Sequence, residues 1–472
     1  MSGAAQSRSS PIDRLDSAAP AAGALKRELV GWAWLAVGAL AVAGVFALLL
    51  ALSRVPGMDK APFWPIRFFY KSLVIHVVFS LVIWLMGVFA FLVTVATEQA
   101  SSDSLRAAPF GRIGQGVALI AFPCLFAPAF FDATQPELTN YIPLIRHPAY
   151  DLGLLLLAVG VLAPVIRLFA NLRGPWRTLP ALTLVMSIGG FVYLLALVSF
   201  AVAGVLLARG SDLMFSRDML FWGGGHLMQF VYAIVLLTNW RILARRSLGE
   251  KAVDDAMFRI AVAIIGALAV AGPVFYVAFD AFSEAQHEAF RLLQFGIALP
   301  TLIVAVPLLA KARALGRPAQ WPWRDPAFFT LATSLALFAL GGVMGLLISG
   351  SDTRTPAHYH AVITAVSVSS AGMLLTFGLE ELGLAPVSAR ATRALIALYG
   401  GGQFVASIGM FVAGGYGAAR KTPTGVGSLD AVAAAGMAVH GIASIFTIIG
   451  GAAFVVIAIR ALLRPKIARA PA

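Results

Sequence analysis

The stretch Ala357-His358-Tyr359-His360 carries two imidazoles two residues apart at the head of a long apolar run. On a helix this spacing turns the rings about 200° apart, so they cannot close on one ion and can serve two centres, one on each flank. A neutral nitrogen ligand on both sides of an intramembrane helix suggests a pair of hemes. His76 and His226 each fall about eight residues into other apolar runs. At ~1.5 Å per residue both lie roughly 12 Å below the surface by which His358 and His360 enter. Four histidines thus share one half of the membrane on three helices. Polar groups in hydrocarbon are costly, which favours a shared cause over four separate helix–helix hydrogen bonds. The other three are read differently. His147, in Arg146-His147-Pro148, is a surface residue. His287, with Asp280, Glu284 and Glu288 around it, belongs to a solvated acidic loop, with a metal ligand or a proton path as the alternative. His440 is structural or on a proton path.

The elements that hold these residues follow from composition. The chain has 472 residues, 60% hydrophobic and 12% charged. Apolar runs of about the ~20 residues that span a bilayer fall near 30–53, 69–96, 113–133, 150–171, 179–207, 218–244, 257–282, 289–312, 327–350, 357–382, 393–416 and 434–462. This predicts an all-α polytopic membrane bundle of about twelve transmembrane helices. Residues 28–464 form one membrane domain, flanked by a disordered tail over 1–27, which lacks the apolar core of a signal peptide, and a short tail over 465–472. Basic residues gather at Arg241, Arg245, Arg246, Lys251 and Arg259, at Lys311, Arg313, Arg317 and Arg324, and at Arg460, Arg464, Lys466 and Arg469. They place both termini in the cytoplasm of a bacterial-type inner membrane. The formal charge of +13 is then a topology signal, with lipid rather than nucleic acid as the surrounding partner. A single cysteine, Cys124, excludes a disulfide framework, a Cys-x-x-Cys-His heme attachment and a thiolate copper or iron–sulfur site.

With the helices placed, the chain resembles the catalytic subunit I of the heme–copper oxidase superfamily, which includes nitric oxide reductases. The resemblance covers nearly the whole length and is strongest in Gly341-Gly342-Val343-Met344-Gly345, Asp352-Thr353 and Ala357-His358-Tyr359-His360. There the family carries Gly-Gly-x-x-Gly, Asp-Thr and Ala-His-Phe-His. It implies two hemes, expected as b-type, and one non-heme metal, iron or copper. His358 matches the ligand of the high-spin heme, and His360 and His76 match the ligands of the low-spin heme. His226, in Trp222-Gly223-Gly224-Gly225-His226, matches the sixth helix's ligand of the non-heme metal. Arg420-Lys421 resembles the Arg-Arg pair that binds heme propionates.

The departures narrow the chemistry. Oxygen reductases of the family carry a His-His pair on the seventh helix, where this chain has Gly272-Pro273 or Val277-Ala278. The tyrosine that many carry four residues after the sixth helix's histidine is Phe230, and the proton-channel lysine of the eighth helix is Val304. Gln229, Tyr276, Asp280 and Glu284 are the remaining candidates near the metal, and carboxylates suit non-heme iron better than copper(I). The expected reaction is reduction of a small gas, nitric oxide to nitrous oxide, at a mixed histidine and carboxylate or amide metal site. The alternatives are oxygen reduction with an atypical metal site and a non-catalytic heme protein for electron transfer, sensing or heme delivery. Electrons are expected from a donor subunit or a cytochrome c- or cupredoxin-like protein, since the chain has no donor-site cysteines. A secondary transporter lacks support, because the sequence shows no inverted repeat and no matched pair of broken helices.

Overall fold

The structure is a computed structural model that describes residues 20–52, 69–101, 104–210, 216–348, 352–420 and 429–464. Twelve helices long and apolar enough to cross a membrane run through it. They are α1 (Leu25–Ala51), α2 (Phe69–Ala100), α3 (Ala108–Phe130), α4 (Pro148–Asn171), α5 (Ala181–Arg209) and α6 (Arg217–Leu248). The chain continues with α7 (Asp255–Ala278), α8 (Glu284–Ala314), α9 (Pro326–Leu346), α10 (Arg354–Glu381), α11 (Ala389–Gly415) and α12 (Ala431–Leu462). The bundle is a multi-pass membrane protein. In hydrocarbon backbone amides must be satisfied within the segment, which is why so apolar a chain resolves into helices, with π turns at Val78–Ile83, Leu374–Gly378 and Ala397–Gly401 and a break at Val270 inside the spans.

The first helical residue is Pro20, inside the stretch assigned to the N-terminal tail, while residues 1–19 and 465–472 lie outside the described residues. The eighth helix starts earlier than its apolar run suggests. Ser283 caps it by accepting from Gln286 N at 3.2 Å, so an amphipathic turn precedes the apolar part. Neighbours in sequence pack together, with α3 on α4, α5 on α6, α9 on α10 and α11 on α12, and α1 packs back on α12. Buried polar cross-links tie the centre. Asn239 Nδ2 on α6 donates to Ser369 and Ser370 Oγ on α10 at 3.2 and 3.0 Å, and Trp240 Nε1 donates to Ser334 Oγ on α9 at 2.8 Å. A buried ion pair joins Glu28 of α1 to Arg167 of α4.

Between α3 and α4 the chain makes a two-stranded antiparallel hairpin, β1 (Pro136–Glu137) and β2 (Leu144–Ile145), whose connecting loop crosses the end of the bundle that carries His358. Arg217, at the start of α6, pairs with Asp151 of α4 at 2.8 Å and reaches Glu137 of the hairpin at 3.8 Å.

Candidate functional site

Three imidazoles share one geometry. His76 Nδ1 on α2 lies 3.0 Å from the carbonyl of Ala43 on α1, and His358 Nδ1 on α10 lies 2.7 Å from the carbonyl of Gly341 on α9. His226 Nδ1 on α6 lies 2.7 Å from the carbonyl of Trp222, one turn before it. A carbonyl only accepts, so each Nδ1 carries the proton and each Nε2 keeps its lone pair. Metal-ligating histidines are oriented in this way, by a second hydrogen bond that fixes ring and tautomer. His360 Nδ1 lies 3.5 Å from the Gln403 amide on α11, an amide also held by Ser407 Oγ at 3.2 Å. Rotating that amide end for end offers His360 either an acceptor or a donor.

His358 and His360 leave α10 on opposite flanks, as their spacing requires. On the His358 flank, the glycines of α9 make the room. A Cβ on Gly345 would lie 2.8 Å from His358 Cε1 and Nδ1, and one on Gly341 would lie 3.1 Å from the His358 carbonyl. Gly342 faces open space. The Asp-Thr motif anchors the head of α10. Thr353 Oγ1 donates to Met410 O at 2.9 Å, and Thr353 N donates to Ala418 O at 2.9 Å, so α10 starts against the end of α11. Asp352 pairs with Arg354 at 2.7 Å, and that hydrogen bond holds its carboxyl below the ordinary value. Arg420 follows in this corner and donates through Nη2 to Asn140 Oδ1 at 3.3 Å. Lys421 lies outside the described residues.

These donors fit two hemes. His76 and His358, oriented by backbone carbonyls, and His360, beside the Gln403 amide, are the three imidazoles that two irons would need.

The surroundings of His226 differ. Its Nε2 is 2.7 Å from the hydroxyl of Tyr141, in the hairpin loop. Since Nδ1 holds the ring proton, Tyr141 donates. Burial pushes the Tyr141 phenol well above its ordinary value, and the Asp218 carboxylate adds to this, so the proton stays on oxygen. The rings of Tyr141, Trp222 and Phe290 stand 4.6, 5.0 and 5.6 Å from the His226 ring. The three glycines before His226 admit aromatic neighbours. Gly223 meets the Tyr276 hydroxyl and Phe290, Gly224 meets Phe200, and a Cβ on Gly225 would lie 2.5 Å from Tyr141 Cγ.

Tyr276 therefore reaches α6 one turn before His226. Gln229 is half-buried on α6, and Asp280 and Glu284 are exposed beyond the end of α7. Among the described residues no three histidine, cysteine or acidic side chains converge on a metal-sized site. The donors present around His226 do not fit a non-heme metal. The other histidines have local partners. His147 caps α4 by accepting from Ala149 N at 3.2 Å, His287 Nδ1 donates to Ser283 O at 2.8 Å, and His440 Nδ1 donates to Ala406 O at 3.2 Å.

Tyr141, Asn140 and Gln403 were not singled out in the sequence. Gly225 beside His226 signals a bulky neighbour, but nothing local says that it comes from a loop 85 residues upstream.

The family model for cytochrome c and quinol oxidase polypeptide I matches residues 29–449. An uncharacterised protein of Aquifex aeolicus is 29% identical over 358 residues, covering 75% of this chain and 84% of that protein. An uncharacterised protein of Rickettsia prowazekii is 24% identical, covering 90% and 94%. Among solved structures, a heme–copper terminal oxidase dimer determined by cryo-electron microscopy aligns with a TM-score of 0.78 at 19% identity, over 94% of this chain and 85% of that one.

Proposed function

This chain belongs to the cytochrome c and quinol oxidase polypeptide I family, and we propose that it holds a low-spin heme between His76 and His360 and a gas-binding heme on His358, and reduces nitric oxide to nitrous oxide. The observation that carries the heme assignment is the shared orientation of His76 and His358, each held by Nδ1 on a backbone carbonyl in the way iron-ligating histidines are held. The hemes, when bound, supply one iron that takes a gas molecule and one that passes electrons to it.

The remaining groups favour a small reaction. Two nitric oxide molecules, two electrons and two protons give one nitrous oxide and one water. Reducing oxygen to water takes four electrons in close succession, and the histidines, tyrosine and lysine that the family's oxygen reductases use for it are Gly272-Pro273 or Val277-Ala278, Phe230 and Val304 here. In this reading Gly341 O keeps the His358 ring in position, the Gln403 amide orients His360, and Arg420 would supply a cation for a heme carboxylate. Tyr141 and His226 hold one proton between Oη and Nε2, beside an aromatic wall that excludes water. Family members generally take electrons from cytochrome c or quinol; for this chain we place the donor on a separate subunit or soluble protein, and both termini in the cytoplasm of a bacterial inner membrane.

The test is anaerobic turnover by the purified protein with an artificial reductant. One nitrous oxide per two nitric oxide consumed supports the reading. Steady oxygen consumption without nitrous oxide supports the oxygen-reductase alternative. A heme protein for electron transfer or sensing is the second reading, favoured by the Tyr141 hydroxyl on His226 Nε2. It requires that His226→Ala leave turnover and heme spectra unchanged.

A further inference from the structure

We infer that Tyr141 occupies the coordination position at which this family binds its non-heme metal, so that the centre beside His226 is a histidine–tyrosine hydrogen-bonded pair with no third metal. The inference rests on family membership only for the expectation of a metal.

Both nitrogens of His226 are spoken for within the protein. Nδ1 donates to Trp222 O at 2.7 Å, and Nε2, the atom a metal would take, accepts the Tyr141 hydroxyl at 2.7 Å. The imidazole is 2% exposed, so Tyr141 has sunk to it. Nine residues of α6 at ~1.5 Å each separate His226 from Arg217, so the phenol reaches ~13 Å below the head of α6.

The surrounding sequence is built for this position. Any side chain at 225 would put its Cβ 2.5 Å from Tyr141 Cγ, so the glycine there is required by the tyrosine ring. Trp222 meets the same ring edge-on at 5.6 Å. The loop is fastened next door, since Asn140 N and Nδ2 donate to the two Asp218 carboxylate oxygens at 2.7 and 3.0 Å, and Asn140 Oδ1 accepts from Arg420. A phenol mounted this firmly does not act as an incidental filler.

The ligands a metal would add are elsewhere. Zinc, copper and non-heme iron each need three or more protein donors. All seven histidines and Cys124 are among the described residues, and none of them, His226 included, joins a group of three potential ligands there. Tyr276 turns its hydroxyl to Gly223. The His287 ring lies tilted against Trp222 at 4.7 Å with Nδ1 committed to Ser283 O.

The experiment is elemental analysis of the purified full chain against its heme content, for the wild type and His226→Ala. The expected result is iron equal to heme, copper and zinc well below one per chain, and no difference between wild type and variant once heme is subtracted. One equivalent of non-heme iron, copper or zinc that disappears in His226→Ala overturns the inference. If the variant fails to accumulate, the wild-type count decides alone: iron equal to heme with no stoichiometric copper or zinc supports the pair, and one extra metal refutes it. A second readout is the vibrational signature of the tyrosines. Tyr141→Phe should remove one strongly hydrogen-bonded phenol and leave metal content unchanged, whereas a loss of metal in that variant would show the phenol to be a ligand. Because these readouts need no turnover, failure of the nitric oxide assignment and failure of this inference are distinguishable.

Discussion

Replacing Gly345 by alanine should cripple gas binding without touching a ligand. A Cβ there would lie 2.8 Å from both Cε1 and Nδ1 of His358. Comfortable carbon contacts begin at ~3.5 Å, so the ring must retreat by ~0.7 Å, away from α9. That movement carries Nδ1 from its present 2.7 Å contact with Gly341 O past the ~3.2 Å limit of a useful hydrogen bond. Loss of a histidine's orienting partner typically costs ~10–100-fold in metal affinity, or about 1.4–2.8 kcal/mol. Gly342 supplies the control, because a Cβ there meets nothing within 4 Å. Gly342→Ala should be neutral or should stabilise α9 by up to ~1 kcal/mol. The assay is carbon monoxide titration of the reduced protein, with heme content measured in parallel. Gly345→Ala should weaken carbon monoxide binding or lose the His358 heme outright, and Gly342→Ala should do neither. Equal affinity in the two variants would refute the argument that the glycine notch seats the His358 ring.

Three other outcomes are expected. His76→Ala should abolish the low-spin heme spectrum while the protein still inserts, and a retained spectrum would overturn that ligand assignment. Arg167→Met leaves the Glu28 carboxyl buried without its partner, which should cost about 3–5 kcal/mol. Adding Glu28→Gln should recover most of the loss in thermal melting. Arg354 depresses the Asp352 carboxyl, so the stabilisation is present above the ordinary carboxylate value and is lost as pH falls through the lowered folded value. Melting temperature and heme retention should therefore decline below pH ~4 in the wild type, and Asp352→Asn should flatten that decline.

The bundle was legible because each span is long, apolar and separated from the next by charge or turn residues, a signal that needs no knowledge of neighbours. The two flanks of α10 were legible for the same kind of reason, since the angle between His358 and His360 is set by helix geometry alone. Boundaries were harder where a polar cap extends a helix past its apolar run, as Ser283 does for α8. The fastening of α10 by Thr353 and Asp352 could be matched as a motif but not explained until Met410, Ala418 and Arg354 were seen around it. The His226 site was the least legible. Tyr141 comes from a hairpin loop with no periodic pattern, and its contact depends on how that loop folds over α6. Asp280, Glu284 and Gln229 were named for proximity along the chain, and proximity in sequence does not aim a side chain.

The Glu28–Arg167 pair bears on how the protein is made. Its partners are 139 residues apart in the chain. At ~5–20 residues per second, Glu28 is synthesised roughly 7–30 s before Arg167 leaves the ribosome. A carboxylate within a spanning helix is poorly tolerated by lipid for that long. Glu28 is only the fourth residue of its span, beside Lys26 and Arg27, so the head of the first helix can stay at the water boundary, and its burial against Arg167 must follow the arrival of the fourth helix.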